Sequence, residues 1–268
     1  MSIEKLIKVE KENHITTLTL NHPDKLNVID LDGFKQFIDV FTEINMDPDV
    51  WVVVIKGEGR CFTAGIDLKS LASLASDGGA DSREHLRKEI LGGQESMSII
   101  ESCTKPVIAA IHGYCLGAGV DLISACDIRI ASKDALFGIR EAKMAVIADL
   151  GTLQRLPHII GQGWTRELAL TGRDFSAEEA LQMGLVTRVC ESKEVLFEEA
   201  DKLAQEVTSC APLTIQGTKD VLNYSRDNGV QSGLQYVAQK NAAALISEDL
   251  KEAITAVMQK RKPAFKGK

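Results

Sequence analysis

The 268 residues contain no Cys-x-x-Cys pair and no histidine at metal-ligand spacing, so the pattern of a zinc or iron–sulfur framework is missing. The cysteines, at 61, 103, 115, 126, 190 and 210, are expected to be reduced and mostly buried thiols. Proline is scarce at six residues, while 44% of the chain is hydrophobic and 26% charged, which excludes disordered and fibrous classes. No apolar run reaches the ~18 residues of a membrane span, so no insertion into a membrane is expected. Positive charge is not in excess: 31 basic residues face 38 acidic ones, net −7, which argues against nucleic acid as a partner. One basic cluster, Lys260, Arg261, Lys262, Lys266 and Lys268, reads either as a solvated end or as a local phosphate contact. The start, Met1-Ser-Ile-Glu-Lys, has no apolar leader and the end, Phe265-Lys-Gly-Lys268, is not the S-K-L address, so a cytoplasmic location is expected.

What is present is an α/β pattern. Residues 14–20 alternate like a strand and Asn21-His-Pro-Asp-Lys25 breaks them with turn chemistry. Asp30 then caps a helical pattern of Leu31, Phe34, Phe37, Ile38, Phe41 and Ile44. Trp51-Val-Val-Val-Ile55 and Val107-Ile-Ala-Ala-Ile111 read as strands buried on both faces. Ser176-Ala-Glu-Glu179 is a capping box opening a helix that ends near Gly184. From about residue 192 the pattern is helix after helix, over 193–209, 213–224, 233–246 and 250–260. The expected organisation is a wound α/β body over 1–190 and a helical C-terminal region over 191–268 that serves packing or oligomerisation.

The chain also repeats itself. Residues 53–70 superpose on 107–124 at an offset of 54 with eight identities in eighteen positions and no gap. Cys61-Phe-Thr-Ala-Gly-Ile-Asp-Leu68 lies over Cys115-Leu-Gly-Ala-Gly-Val-Asp-Leu122. One unit of strand, glycine turn and helix is therefore used twice. Each copy offers backbone N–H groups where a helix begins, at Ala64-Gly65-Ile66-Asp67 and at Gly117-Ala118-Gly119-Val120. Two such turns from neighbouring strands could converge on one oxygen; taken singly, each also reads as plain βα punctuation.

Three acids with largely apolar neighbours follow: Asp121, Glu141 and Asp149. Asp121 could simply favour a helix start, Asp149 could be an N-cap, and Glu141 could be a surface acid paired with Arg140 or Lys143. Burial would instead raise their pKa values and make them proton shuttles. A competing motif, Gly113-x-x-x-Gly117-x-Gly119 with Tyr236-x-x-x-Lys240, imitates short-chain dehydrogenases. Its glycines come only after more than 100 residues that already hold a copy of the same unit, where a dinucleotide fold would open with them.

At these residues the chain resembles the enoyl-CoA hydratase/isomerase (crotonase) family along nearly its whole length. The carriers are Asn21-His-Pro, Cys61-Phe-Thr-Ala-Gly-Ile-Asp-Leu, Lys105-Pro-Val-Ile-Ala-Ala-Ile-His-Gly113, Gly117-Ala-Gly-Val-Asp-Leu, Ala125-Cys-Asp-Ile-Arg129, Phe137-Gly, Glu141 and Gln154-Arg-Leu-Pro157. The resemblance implies a spiral of ββα units, a helical C-terminal trimerisation region, a homotrimer or dimer of trimers, and acyl-CoA thioesters as substrates with no further cofactor. It places acyl-CoA along Ala64, Gly65, Ile66, Asp67, Leu68 and Gly119, with the thioester oxygen between the N–H groups of Ile66 and of the Ala118/Gly119 turn. Ala118 stands where relatives commonly carry glycine.

Hydratases of the family carry glutamates at the positions of Asp121 and Glu141 and glycine at that of Asp149. Here the first acid is shortened and a third has been gained, which is similar to the Δ3,5-Δ2,4-dienoyl-CoA isomerase subfamily; Ser225-Arg-Asp227 is similar too. Moving a 3,5-diene to 2,4 takes a proton from C2 and delivers one to C6. The expected division is Glu141, ionised, as base at C2 and Asp149, protonated, as acid at C6, with Asp121 orienting the turn or tuning Glu141. The alternatives are a 2-enoyl-CoA hydratase and, from another class, an inactive acyl-CoA-binding or RNA-binding scaffold, against which the three acids and the net charge speak.

Overall fold

The computed structural model describes residues 5–74 and 78–268; the reading of residues 1–4 lies outside the described residues. β1 (Ile7–Glu12) and β2 (Ile15–Leu20) form a hairpin through Asn13 and His14, both at positive φ. α1 (Leu31–Met46) starts where expected, with the Asp30 side chain accepting from Gly33 N, and buries Phe34, Phe37, Phe41 and Ile44. β3 (Val52–Gly57), α2 (Leu68–Leu74), α3 (Ala80–Ser102), β4 (Val107–Ile111), β5 (Tyr114–Leu116) and α4 (Ala118–Ser124) follow. β6 (Ile128–Ser132), β7 (Leu136–Gly138), α5 (Thr152–Ile159), α6 (Gly161–Thr171), β8 (Asp174–Ser176), α7 (Ala177–Met183) and β9 (Arg188–Cys190) complete the body. Three helices end the chain: α8 (Lys193–Thr208), α9 (Pro212–Ala244) and α10 (Glu248–Met258).

The strands make two sheets. The larger runs β1-β2-β3-β4-β6-β9, parallel throughout except for the β1·β2 hairpin; the smaller runs β5-β7-β8. One residue of each repeat bridges to the other: Thr63 pairs with Cys115, joining the first copy to the edge of the smaller sheet. A chain that turns from one sheet to the other and then into a helix, twice in succession, is the ββα spiral expected. β3 and β4 are buried on both faces, as their unbroken β-branched and apolar runs require.

The main core lies between the sheets and under α1, α3 and α4. A second cluster, Val52, Val54, Ile108, Ala110 and Ile130 with Leu196, Ala200 and Ala204, puts α8 on the opposite face of the large sheet. α8 therefore covers the body itself. Beyond it, α9 reverses at Gly229 (φ 79, ψ 170). Tyr236 Oη donates to Asp220 Oδ2 at 2.8 Å and stacks on Tyr224 at 4.1 Å, contacts that a straight helix would forbid across 16 residues. Tyr236 and Lys240 are thus committed to Asp220. The basic end is held as well: Arg261 pairs with Glu252, and the Asp249 carboxylate accepts from Lys266 N and Gly267 N. All six cysteines are free and all but Cys210 are buried. Among the described residues no helix is long and apolar enough to cross a membrane.

Candidate active site

The two repeated turns touch. A methyl group placed on Gly65 would sit 2.5 Å from Leu116 O and 3.4 Å from Ala118 N, and one on Gly119 would sit 2.7 Å from Thr63 Cγ2. Gly65 has φ 95 and Gly117 φ 51, conformations closed to most side chains. Ala118 is not at positive φ; it begins α4, so its methyl group adds no backbone strain. Ile29 N donates to Gly65 O and Asp67 N to Ile29 O, so the Ile66 amide points away from this bridge. Among the hydrogen bonds of the described residues, none is donated by Ile66 N, Ala118 N or Gly119 N. Free amides on two abutting turns, one of them at a helix N-terminus, suit a developing oxyanion.

The first turn is fastened by a residue the sequence did not flag. Asn27 is fully buried, and its Nδ2 donates to Glu58 O, Cys61 O and Phe62 O while Oδ1 accepts from His22 N. Thr63 Oγ1 donates to Asn27 O and in turn accepts from Gly65 N. Asp67 caps α2 by accepting from Lys69 N and Ser70 N, and Leu68 is exposed beside it. The repeat diverges here: α4 starts four residues earlier than α2 in the aligned copies. Asp121, the sequence twin of Asp67, therefore lies one turn inside a helix, 1% exposed.

The three acids are brought together. Asp121 Oδ1 accepts from Thr152 N at 2.7 Å, so it caps α5 from a neighbouring helix, and Asp149 does not serve as that cap, Gly151 standing at the N-cap position. Burial, opposed by the Thr152 bonds, raises the Asp121 carboxyl to about 6. Glu141 follows β7 in a 3-10 turn; its Oε2 is buried with no partner, and Oε1 lies 3.2 Å from where a methyl on Gly117 would be. It is not paired with Arg140, whose guanidinium grips Asp174 at 2.6 and 2.8 Å. Burial first, then the charge of Asp121, raises Glu141 to about 7. Burial also raises Asp149. A carboxylate with one oxygen buried and unpartnered holds its proton more strongly than a solvated one, despite the backbone N–H of Glu141 itself, and this makes it an effective base when ionised.

Asp149 lines a cavity of about 460 Å³ together with Gln94, Leu150, Gly151, Arg155 and Arg226. Its backbone is clamped from α3, where Gln94 Nε2 donates to Asp149 O at 2.8 Å, and Arg155 Nη1 donates to Leu150 O. Gln94, Arg155 and Thr152 join the acids only through the fold. The sole sequence hint was Gln154-Arg-Leu-Pro157, already part of the resemblance. Among the described residues, no three His, Cys, Asp or Glu side chains are grouped to hold a metal ion.

An α/β spiral with paired free amides beside one buried and two half-buried acids defines a class, and the comparison with known sequences gives it its family. The chain belongs to the Enoyl-CoA hydratase/isomerase family, which it matches over residues 10–268. It is 47% identical over 265 residues to the peroxisomal Delta(3,5)-Delta(2,4)-dienoyl-CoA isomerase of Arabidopsis thaliana, covering 97% of this chain and 95% of that protein. It is 42% identical over 268 residues to the mitochondrial Delta(3,5)-Delta(2,4)-dienoyl-CoA isomerase of Dictyostelium discoideum, covering 98% and 92%. Its fold matches the crystal structure of an enoyl-CoA hydratase from Bacillus anthracis with a TM-score of 0.91 at 33% identity, covering 98% of this chain and 100% of that one.

Proposed function

We propose that this protein isomerises 3,5-dienoyl-CoA to 2,4-dienoyl-CoA. One observation carries the reading: the unpartnered amides of Ile66 and Ala118 lie on abutting turns, the second of which reaches Glu141 with its buried, unpartnered Oε2, and a second acid, Asp149, is near enough for its charge to act on Glu141 while lining a neighbouring cavity. The thioester oxygen docks on the amides of Ile66 and the Ala118/Gly119 turn. Glu141 takes the C2 proton, the electron pair delocalises over the dienolate onto that oxygen, and Asp149 delivers a proton to C6. One proton leaves and one arrives, so no redox cofactor is required; proton exchange afterwards returns Glu141 to its ionised and Asp149 to its protonated form. Acyl groups entering the cavity displace the water that solvates half-buried Asp149, which favours the protonated form this step needs.

A hydratase asks for two carboxylates on one water. Asp121 is poorly placed for that, since Oδ1 is committed to Thr152 N. The test is conversion of 3,5-dienoyl-CoA followed through the absorbance of the conjugated product, in D2O to place the label at C6. Asp149→Asn is expected to abolish turnover; full activity in that variant, or faster water addition to 2-enoyl-CoA than diene isomerisation, contradicts the proposal. We further propose assembly as a homotrimer or dimer of trimers through the C-terminal helices, whose exposed apolar residues have no cover within the chain. The cytoplasmic location is a proposal set against relatives named as peroxisomal and mitochondrial, and cell fractionation decides it.

A further inference from the structure

A second cavity, of about 800 Å³, lies under the α9 hairpin against the C-terminal end of α3. It shares four lining residues with the cavity of Asp149: Ser98, Glu101, Arg226 and Asp227. These residues are the wall between the two. The wall is an ion-pair bridge from α3 to α9: Arg226 Nη1 meets Glu101 Oε1 at 2.5 Å, while Arg226 Nε and Nη2 meet the Asp227 carboxylate at 2.7 and 3.0 Å. Glu101 is held independently on its other oxygen by Arg155 Nε at 3.0 Å. Arg226 is therefore the member that can leave without orphaning the carboxylate, and it sits at the turn end of a helix pair that reverses three residues later at Gly229.

Resting on the proposed dienoyl-CoA reading, we propose that Arg226 is a specificity-determining gate: bridged to Glu101, it closes the far end of the acyl cavity and limits the chain length accepted beyond C6. Charged groups make a poor surface for methylenes; the cavity behind the wall offers Leu213, Ala243 and Ala244, and its own charges Lys219, Asp220 and Lys240 are already taken up in ion pairs. Opening the bridge joins the two volumes. Each methylene that then moves from water into the second cavity adds about fourfold in affinity.

Calorimetric titration with saturated octanoyl-CoA and hexadecanoyl-CoA tests this on the full-length protein, without requiring any turnover. The parent is expected to gain less than about tenfold in affinity between the two chain lengths, and R226A at least about a hundredfold, by the same methylene scale. E101Q, which weakens the bridge from the α3 side, is expected to move the ratio in the same direction, so the test survives if R226A fails to fold. An unchanged ratio in folded variants overturns the gate. A parent that binds neither thioester overturns the acyl-CoA reading itself, and a parent that binds both but does not isomerise a diene leaves the gate standing while sinking the isomerase.

Discussion

Asp121 Oδ1 and Thr152 N are joined by a 2.7 Å hydrogen bond that ties the interior of α4 to the first residue of α5. The loop carrying Asp149, Leu150 and Gly151 ends at this bond, so the same carboxylate that raises Glu141 also fixes where Asp149 stands. Raised to about 6 from an ordinary 3.8, the Asp121 carboxyl is penalised when ionised in the fold. The penalty is absent at about pH 3, where folded and unfolded chains are both protonated; it builds up between 3.8 and about 6 and is complete above that. Asp121→Asn keeps an acceptor for Thr152 N and removes the charge. Urea unfolding is expected to show the variant equal to the parent at about pH 3 and more stable by about 2 kcal/mol at about pH 7.5; a gain of the same size at both pH values would contradict the assignment.

How far the sequence reaches is clearest in the repeat. The ungapped match of residues 53–70 with 107–124 announces two equivalent turns, and the turns do abut at Gly65 and Leu116. It also pairs Asp67 with Asp121, and there the equivalence ends. One is a half-buried N-cap and the other a fully buried acid, because the second copy winds into helix a turn sooner. A local pattern cannot show which of two identical residues is buried, since burial comes from what packs above them. The same holds for Glu141, whose neighbour Arg140 is drawn to Asp174, 34 residues on. The role of Asn27 has no local signature because all its side-chain partners but His22 are distant in sequence. The hairpin strand β1 is not legible in the sequence, since five of its six residues are exposed and give no apolar alternation.

Glu141 governs the acid side of the pH profile. Its proton must be off before it can take the one at C2, and burial holds it to about 7. Below that, kcat/KM is expected to fall about tenfold per pH unit, the slope of a single ionisation. In Asp121→Asn the repelling charge is gone, so the midpoint is expected to move to lower pH. Glu141→Gln should lower kcat by at least about a hundredfold, within the usual range for a general base. A midpoint near 4.5 in the parent, the ordinary glutamate value, would show that burial does not control the base.

Asn27 is a positioning residue for the oxyanion turn. Truncation to alanine strands three carbonyl oxygens and the His22 amide around a buried gap. With about 1 kcal/mol for each lost bond, Asn27→Ala is expected to cost about 3–4 kcal/mol of stability. The turn that it holds carries Ile66, so kcat should fall more than KM rises. Asn27→Asp, which keeps the acceptor for His22 N but sets a carboxylate oxygen against three carbonyl oxygens, is expected to unfold at least as readily as the alanine variant. A variant with parental kcat and lowered stability would reduce Asn27 to a purely structural role.

The C-terminal helices carry the last expectation. Leu222, Val230 and Leu234 on α9, and Val257 and Met258 on α10, are each more than half exposed, and Ile246 between the two helices is 88% exposed. Scattered surface apolar residues are ordinary, but a concentration on the terminal helices is the mark of a face covered by another subunit. Sedimentation at micromolar concentration is expected to give three or six copies for the parent. Glutamate at both Ile246 and Val257 places charges in that contact, and the double variant is expected to sediment as a monomer with unchanged secondary structure by circular dichroism. A monomeric parent would contradict the proposed trimer directly. A double variant that stays trimeric would move the contact to another face and leave these residues to some different cover.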